Sequence, residues 1–171
     1  MKWRAGKEEE KQVLDMEDII EQVRDYMEED EWRYEFDEER RLIRANIYLK
    51  CRLKPVRMVI AFHENGYTVY VIPNLKSEKE SLNDVQEYIT RANYGVRNGN
   101  FEMDLEDGEV RYKLYVNTRG MKELPLEIID DSIKMPALMM DKYGDGLSAL
   151  MLGFSDPVTE IYRVEYSLQK P

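Results

Sequence analysis

The pattern that most constrains the fold is VRMVIAFHENGYTVYVIP, which covers residues 56–73. Two runs rich in β-branched and aromatic residues flank Asn65 and Gly66, the residue types that best tolerate the positive φ angles of a type I′ turn. A hairpin with these two residues at the centre of its turn places Phe62 opposite Val69. Both faces of the two strands are largely apolar, which is typical of strands in the middle of a covered sheet.

A second hairpin is predicted earlier in the chain, from the segments WRYEFD and RLIRANIYLKC. Each segment alternates between apolar and polar residues, as strands with one buried face do. Folding one segment onto the other places Phe36 beside Ile43 and Glu35 opposite Arg44. An apolar pair and an ion pair therefore agree on one register.

The acidic residues of NGNFEMDLEDGEVRYKLYV, residues 98–116, first suggest a metal site. A calcium loop needs oxygen ligands at its first and third positions and a glycine at its sixth. With Gly108 at the sixth position, Met103 and Leu105 fall on the ligand positions, and neither side chain supplies an oxygen. The spacing therefore does not fit calcium.

The same segment makes a consistent hairpin if its turn lies at Asp107-Gly108. Residues whose numbers sum to 215 then face each other, and every pair on one face is apolar. On the other face an acid lies opposite a base, as with Glu102 and Lys113. We therefore interpret these acids as the polar half of a hairpin and predict no metal there.

Helices are predicted around these hairpins. An amphipathic helix covers about residues 14–30, and a second runs from a capping box at Ser77 to about residue 93. A long apolar region follows the third hairpin, and Pro136 either kinks one helix there or starts a second. The pair Asp156-Pro157 begins a short final helix.

The order of these elements is α-β-β-β-β-α-β-β-α(α). Consecutive hairpins without βαβ alternation predict the α+β class, with an antiparallel sheet of about six strands and helices packed largely on one face. We expect residues 1–13 to form an acidic or charged tail that frays, and residues 14–171 to form a single domain.

Charge and composition exclude several classes of function. The chain carries 25 basic and 35 acidic residues, a net charge of −10, which disfavours nucleic acids and anionic membrane surfaces as partners. A single cysteine, Cys51, together with the lack of a secretory leader pattern or a long apolar run, favours a cytoplasmic protein that does not enter the membrane.

Motifs for catalysis are also missing from the sequence. One histidine and one cysteine are too few for a zinc site or a nucleophile with its base. Gly144, Gly146 and Ala149 satisfy the spacing of a dinucleotide-binding loop, but the residues before them predict a helix where that motif needs a strand. We therefore predict a protein that is not an enzyme and binds no metal or cofactor.

Methionine is unusually frequent, with 10 residues. Several lie in the last helical region, where their flexible side chains are suited either to filling the core or to an adaptable surface for a partner. The candidate surface for a partner or for dimerisation consists of Met135, Met139, Met140 and Met151.

The segment LNDVQEYITRANYGVRNGNFEMDLEDGEVRYKLYVN, residues 82–117, resembles the YbjN-like family of small bacterial proteins described as sensory-transduction regulators. The resemblance extends over about residues 14–155 and includes DDSIKMPALMMDKYGDGLSALMLG. It implies a fold similar to that of type III secretion chaperones, which often dimerise. The family offers no catalytic residues that can be transferred to this chain.

These observations predict a non-enzymatic protein-interaction module. It would be chaperone- or adaptor-like, homodimeric, and involved in bacterial regulation or stress response through protein partners of unknown identity. A partner segment would bind at a sheet edge or at the methionine surface. The alternative is a regulator that senses a small ligand in a pocket between sheet and helices.

Overall fold

The computed structural model describes residues 13–166. All but the last residue of the predicted tail therefore lies outside the described residues. The elements, in chain order, are α1 (Met16–Glu29), β1 (Tyr34–Asp37), β2 (Leu42–Ile47), β3 (Val56–His63), β4 (Gly66–Pro73), α2 (Leu82–Asn93), β5 (Asn100–Met103), β6 (Val110–Asn117), α3 (Leu126–Met151) and α4 (Pro157–Glu165).

The strands form one antiparallel sheet with the spatial order β1-β2-β3-β4-β6-β5. Helices α1 and α3 pack on the central strands, and α2 packs on β5 and against α3 and α4. The predicted α+β class, the six antiparallel strands and the order of the elements are confirmed.

The face of the sheet under the helices is apolar along whole rows of neighbouring strands. Ile43, Ile60, Val69 and Leu114 form one such row and are almost completely buried. The opposite face carries the ion pairs of the sheet, for example between Arg57 and Glu109, which directly precedes β6. The main apolar cluster therefore lies on the helical side, although Thr68 and Ile72 are also buried on the opposite face.

The hairpin of β1 and β2 has the predicted register. Phe36 lies opposite Ile43 and Glu35 opposite Arg44. The Arg44 guanidinium nevertheless donates to Asp37, at 3.2 Å, instead of bonding the acid directly across from it. A diagonal partner of this kind is within reach of a long side chain on a sheet surface.

The hairpin of β3 and β4 is present, but its predicted register was wrong by two residues. Phe62 lies opposite Tyr67 instead of Val69, which moves Gly66 out of the turn and into the strand. Gly66 has a φ of 150°, and a Cβ atom there would lie 1.9 Å from the carbonyl oxygen of Val116. The close approach of β6, and not the turn, requires this glycine.

The predicted register of β5 and β6 was also wrong by two residues, since Glu102 lies opposite Arg111. Glu102 still pairs with two bases, because Arg111 and Lys113 each donate to it at 2.5 Å. Gly108 has a φ of 75°, and a Cβ atom there would lie 2.0 Å from the carbonyl oxygen of Ser77. The chain before α2 thus occupies the space beside this glycine.

Helix α2 begins at Leu82, so the predicted capping box at Ser77 is wrong. The Ser77 N–H donates to the Gly108 carbonyl at 2.9 Å, and the Ser77 hydroxyl lies 2.9 Å from that of Ser81. The bond to Gly108 attaches Ser77 to the loop between β5 and β6, and the helix starts only at Leu82.

The remaining helix boundaries agree closely with the sequence pattern. Helix α1 begins after Asp15, which accepts a hydrogen bond from the N–H of Asp18. Pro136 lies inside α3, so the region forms one helix of 26 residues and no second helix starts at this proline. Helix α4 begins at Pro157, and Asp156 caps it by accepting from the N–H of Thr159.

Candidate functional site

The two edges of the sheet differ, and the edge formed by β5 is closed. Asn93, the last residue of α2, accepts from the N–H of Phe101 at 2.8 Å and donates to the carbonyl oxygen of the same residue at 2.9 Å. Both groups point away from β6. One carboxamide therefore occupies the backbone positions that an added strand would need.

The edge formed by β1 is open as far as residues 13–166 are concerned, because none of their strands pairs with its outer side. In the neighbouring ladder the N–H of Phe62 donates to the carbonyl of Arg41, and hydrogen-bonded pairs alternate along an antiparallel ladder. Because that alternation continues across β2, the backbone N–H and C=O groups of Tyr34 and Phe36 point away from the sheet. No side chain of residues 13–166 bonds to these groups.

A groove of about 730 Å³ runs between α1 and the hairpin of β1 and β2. Ile20 and Phe36 contribute apolar surface, and the Arg24 guanidinium lies 5.0 Å from the centre of the Phe36 ring. Arg24 also donates to the Tyr34 hydroxyl, which in turn donates to Glu28 at 2.7 Å. Burial raises the pKa of this hydroxyl above its ordinary value.

Carboxylates dominate the walls of this groove. Residues 13–39 hold 13 acids against Arg24 and Arg33, a net charge of 2 − 13 = −11. Residues 1–12 hold four bases and three acids, so the acid excess belongs to α1 and the first hairpin, and the description of the tail as acidic was wrong. The acids that line the groove are Glu17, Glu21, Asp25, Glu28, Glu38 and Glu39.

The four methionines of the predicted surface do not share one environment. Met140 and Met151 are core residues, with 0% and 5% of their surfaces exposed. Met135 is exposed on α3, and Met139 is half-buried beside the core. The predicted surface is thereby reduced to Met135 and Met139, and its role in binding stays a prediction.

An exposed apolar row on α4 was not predicted. Val158 and Tyr162 lie on α4, Tyr166 caps its end and Phe154 lies three residues before its start; each exposes more than half of its surface. The rings of Tyr162 and Tyr166 stack with their centres 5.6 Å apart. The step of four in FSDPVTEIYRVEY carries this pattern, but the sequence alone does not tell which face of a short helix is covered.

The acids and glycines of DKYGDG hold the fold together. Asp141 accepts from the N–H groups of Lys50 and Cys51, and Asp145 accepts from that of Arg52. A Cβ atom at Gly144 would lie 2.5 Å from the Cys51 sulfur. The residues that match the dinucleotide-binding pattern therefore lie in α3, where Gly144 leaves space for the loop after β2 to pack against the helix.

The other candidate residues have structural partners. The ring of His63 lies 3.0 Å from the Thr68 hydroxyl, and Cys51 is buried, which raises the pKa of its thiol. Residues 13–166 contain no group of three His, Cys, Asp or Glu side chains arranged to hold a metal ion. The space between sheet and helices is filled by one continuous apolar cluster, so no observation favours a ligand pocket there.

Comparisons with known proteins agree on one family. The model of the YbjN family, described as "Putative bacterial sensory transduction regulator", matches residues 20–149. The crystal structure of "YbjN, a putative transcription regulator from E. coli" resembles this fold with a TM-score of 0.53 at 9% identity, over 76% of this chain and 90% of that one. No curated protein matched significantly. Within residues 13–166, no helix has the length and apolarity to cross a membrane.

Proposed function

Because the chain belongs to the YbjN family, whose members are described as bacterial regulators, we propose that it is a non-enzymatic protein-interaction module. In this proposal it is a cytoplasmic, chaperone- or adaptor-like protein of bacterial regulation or stress response. It acts by holding an extended segment of a protein partner.

The observation that carries this proposal is the open edge of β1. Its backbone N–H and C=O groups at Tyr34 and Phe36 have no partner among residues 13–166, whereas the Asn93 side chain bonds the equivalent groups at β5. An extended peptide that adds to β1 would satisfy these groups with main-chain hydrogen bonds. An added strand can thus extend the sheet at β1 but not at β5.

The groove beside β1 determines what kind of segment fits. Its apolar part at Ile20 and Phe36 accepts an apolar side chain, and its carboxylates attract a segment that carries Lys or Arg. Exposed charges contribute mainly to the rate and selectivity of binding, while the main-chain bonds and the apolar contact contribute most of the affinity.

The homodimer belongs to the same proposal, and the exposed row on α4 supports it. Phe154, Val158, Tyr162 and Tyr166 are exposed and uncharged, and a second copy of the same residues would match them by two-fold symmetry. Sedimentation analysis should give a dimer, and Tyr162→Glu with Val158→Glu should give a monomer with an unchanged circular dichroism spectrum. A wild-type monomer at micromolar concentration would remove dimerisation from the proposal.

Site-specific photocross-linking tests the edge itself. A photoreactive phenylalanine analogue at Glu35, exposed on β1, should capture a protein partner in cells. The same analogue at Asn98, exposed beside β5, should not. Mass spectrometry of the cross-linked peptides should place one segment of the partner against β1.

A matched pair of charge variants tests the groove. Glu21→Lys with Asp25→Lys reverses two carboxylates in the groove and should abolish the cross-link at position 35. Glu78→Lys with Glu80→Lys makes the same change in net charge at exposed positions before α2 and should preserve the cross-link at position 35. Equal capture at positions 35 and 98, or none at 35, would refute the assignment of β1 as the binding edge.

A further inference from the structure

The loop between β2 and β3 carries a second, oppositely charged surface. Residues 40–63 contain seven bases and no acid, in a chain whose net charge is −10. In the loop, Leu49, Cys51 and Leu53 face the core, while the residues between them face outward. We define the basic strip as the four exposed residues Tyr48, Lys50, Arg52 and Lys54.

The backbone of the basic strip is fixed by α3. One Asp141 oxygen accepts from the N–H of Lys50 at 2.6 Å and from that of Cys51 at 2.8 Å. Asp145 accepts from the N–H of Arg52 at 2.9 Å. Charge-assisted bonds of this kind are among the stronger hydrogen bonds in proteins, so the loop holds one conformation.

The side chains of the strip form no ion pair or hydrogen bond within residues 13–166, although Asp141 and Asp145 hold its backbone at Lys50 and Arg52. Lys50, Arg52 and Lys54 form no ion pair with any acid of residues 13–166, whereas four other bases of the segment do. Tyr48 is 80% exposed beside them. Three like charges within five residues repel one another, and a partner with carboxylates would relieve that repulsion.

We propose that the basic strip is a binding surface for a short acidic segment of a partner protein, separate from the edge of β1. Carboxylates of the segment would pair with the three cations, and an apolar side chain would pack on the Tyr48 ring. Because the loop is already ordered by Asp141 and Asp145, binding would cost little loop entropy.

A protein segment fits this surface better than a nucleic acid does. Affinity for a nucleic acid grows with the number of phosphates neutralised, and the strip offers three cations. The residues outside 40–63 carry a net charge of −10 − 7 = −17, which disfavours the long phosphate backbone of a duplex. A short peptide needs only the strip itself.

Fluorescence anisotropy with a labelled peptide of ten residues, five of them glutamate, tests the proposal. The wild-type protein should bind this peptide more tightly than an analogue with glutamine in place of glutamate. The variant Lys50→Gln, Arg52→Gln, Lys54→Gln should lose about tenfold in affinity, as expected for three exposed ion pairs. Its backbone bonds to α3 are retained, and relief of the repulsion should leave its melting temperature unchanged or higher.

A control variant makes the same change in charge elsewhere. Arg97→Gln, Arg119→Gln, Lys122→Gln removes three exposed cations that form no ion pair among the described residues, and it should bind the acidic peptide like the wild type. Equal losses in the two triple variants would overturn the proposal. Tighter binding of a duplex DNA of 15 base pairs than of the peptide would also overturn it.

A second pair of variants tests whether the fixed loop matters. Asp141→Asn with Asp145→Asn keeps an acceptor oxygen at each position, whereas Asp141→Ala with Asp145→Ala removes it and changes the net charge equally. The alanine pair should bind the acidic peptide at least about threefold more weakly than the asparagine pair, because a loose loop loses entropy on binding. Equal affinities of two folded variants would overturn the preordered strip.

Discussion

Replacing Asn93 with alanine should weaken the fold and open the second edge of the sheet. The Asn93 side chain bonds both backbone polar groups of Phe101, at 2.8 and 2.9 Å, and it does so from the last residue of α2. Alanine at this position preserves the helix and removes both bonds. The N–H and C=O of Phe101 are then left without their partner.

The magnitude follows from these two bonds. Each contributes about 0.5–1.5 kcal/mol net, and leaving a half-buried group unsatisfied moves the cost toward the upper end. The helix propensity of alanine offsets about 0.5 kcal/mol of the loss. We therefore expect the free energy of unfolding to fall by about 2 kcal/mol, and the melting temperature of a chain of this size to fall by about 4–8 °C.

Urea denaturation and hydrogen exchange together check this prediction. The unfolding midpoint should fall at constant slope, and the Phe101 amide should lose protection in the native state. Asn83→Ala is the matched control, because Asn83 is exposed on the same helix and makes no side-chain hydrogen bond among the described residues. An unchanged midpoint with full protection at Phe101 would refute the view that Asn93 closes this edge.

Three further predictions concern the core and the third hairpin. Gly144→Ala should destabilise the protein by about 1–3 kcal/mol, since its Cβ would lie 2.5 Å from the Cys51 sulfur, and a double-mutant cycle with Cys51→Ala should show that the two costs do not add. Burial raises the pKa of Tyr67 to about 12. The stability that the protonated hydroxyl contributes is therefore full below pH 10 and is lost as the pH rises to 12. The difference in free energy of unfolding between wild type and Tyr67→Phe, measured in urea, should shrink over that interval. Burial opposes ionisation of Glu102, but hydrogen bonds from Lys113 and Arg111 outweigh it and lower the pKa of this carboxyl. Glu102→Gln should therefore lower the free energy of unfolding by under about 1 kcal/mol at pH 7, and by nothing once the pH has fallen below that lowered pKa.

Sequence patterns predicted the elements and their faces, but they missed two registers by the same amount. A shift of two residues keeps every side chain on its own face, so apolar alternation cannot detect it. The deciding information was the turn, and Gly66 and Gly108 pointed to the wrong turn. Each of these glycines makes room for another segment of the chain, which a local pattern cannot reveal.

The candidate site depended on tertiary structure even more strongly. An unpaired sheet edge was predicted as a binding mode, yet only the position of Asn93 beside Phe101 distinguishes the closed edge from the open one. The burial of Met140 and Met151 likewise depends on which face of α3 meets the sheet. Asp141 of DKYGDG accepts a hydrogen bond from a loop 90 residues earlier in the chain, and the local sequence around it gave no indication of this role.

The charge of the open edge bears on how this chain avoids assembling through it. An exposed edge strand invites pairing with a second copy, and natural proteins oppose this with short strands and charge. The edge strand β1 has four residues and lies beside a groove walled by carboxylates. Two copies that met edge to edge would bring these carboxylates together, whereas a segment with Lys or Arg would neutralise them. In the proposed function, the charges that attract a basic partner therefore disfavour pairing with a second β1, and we propose that a homodimer would use another surface, such as the exposed apolar residues at α4.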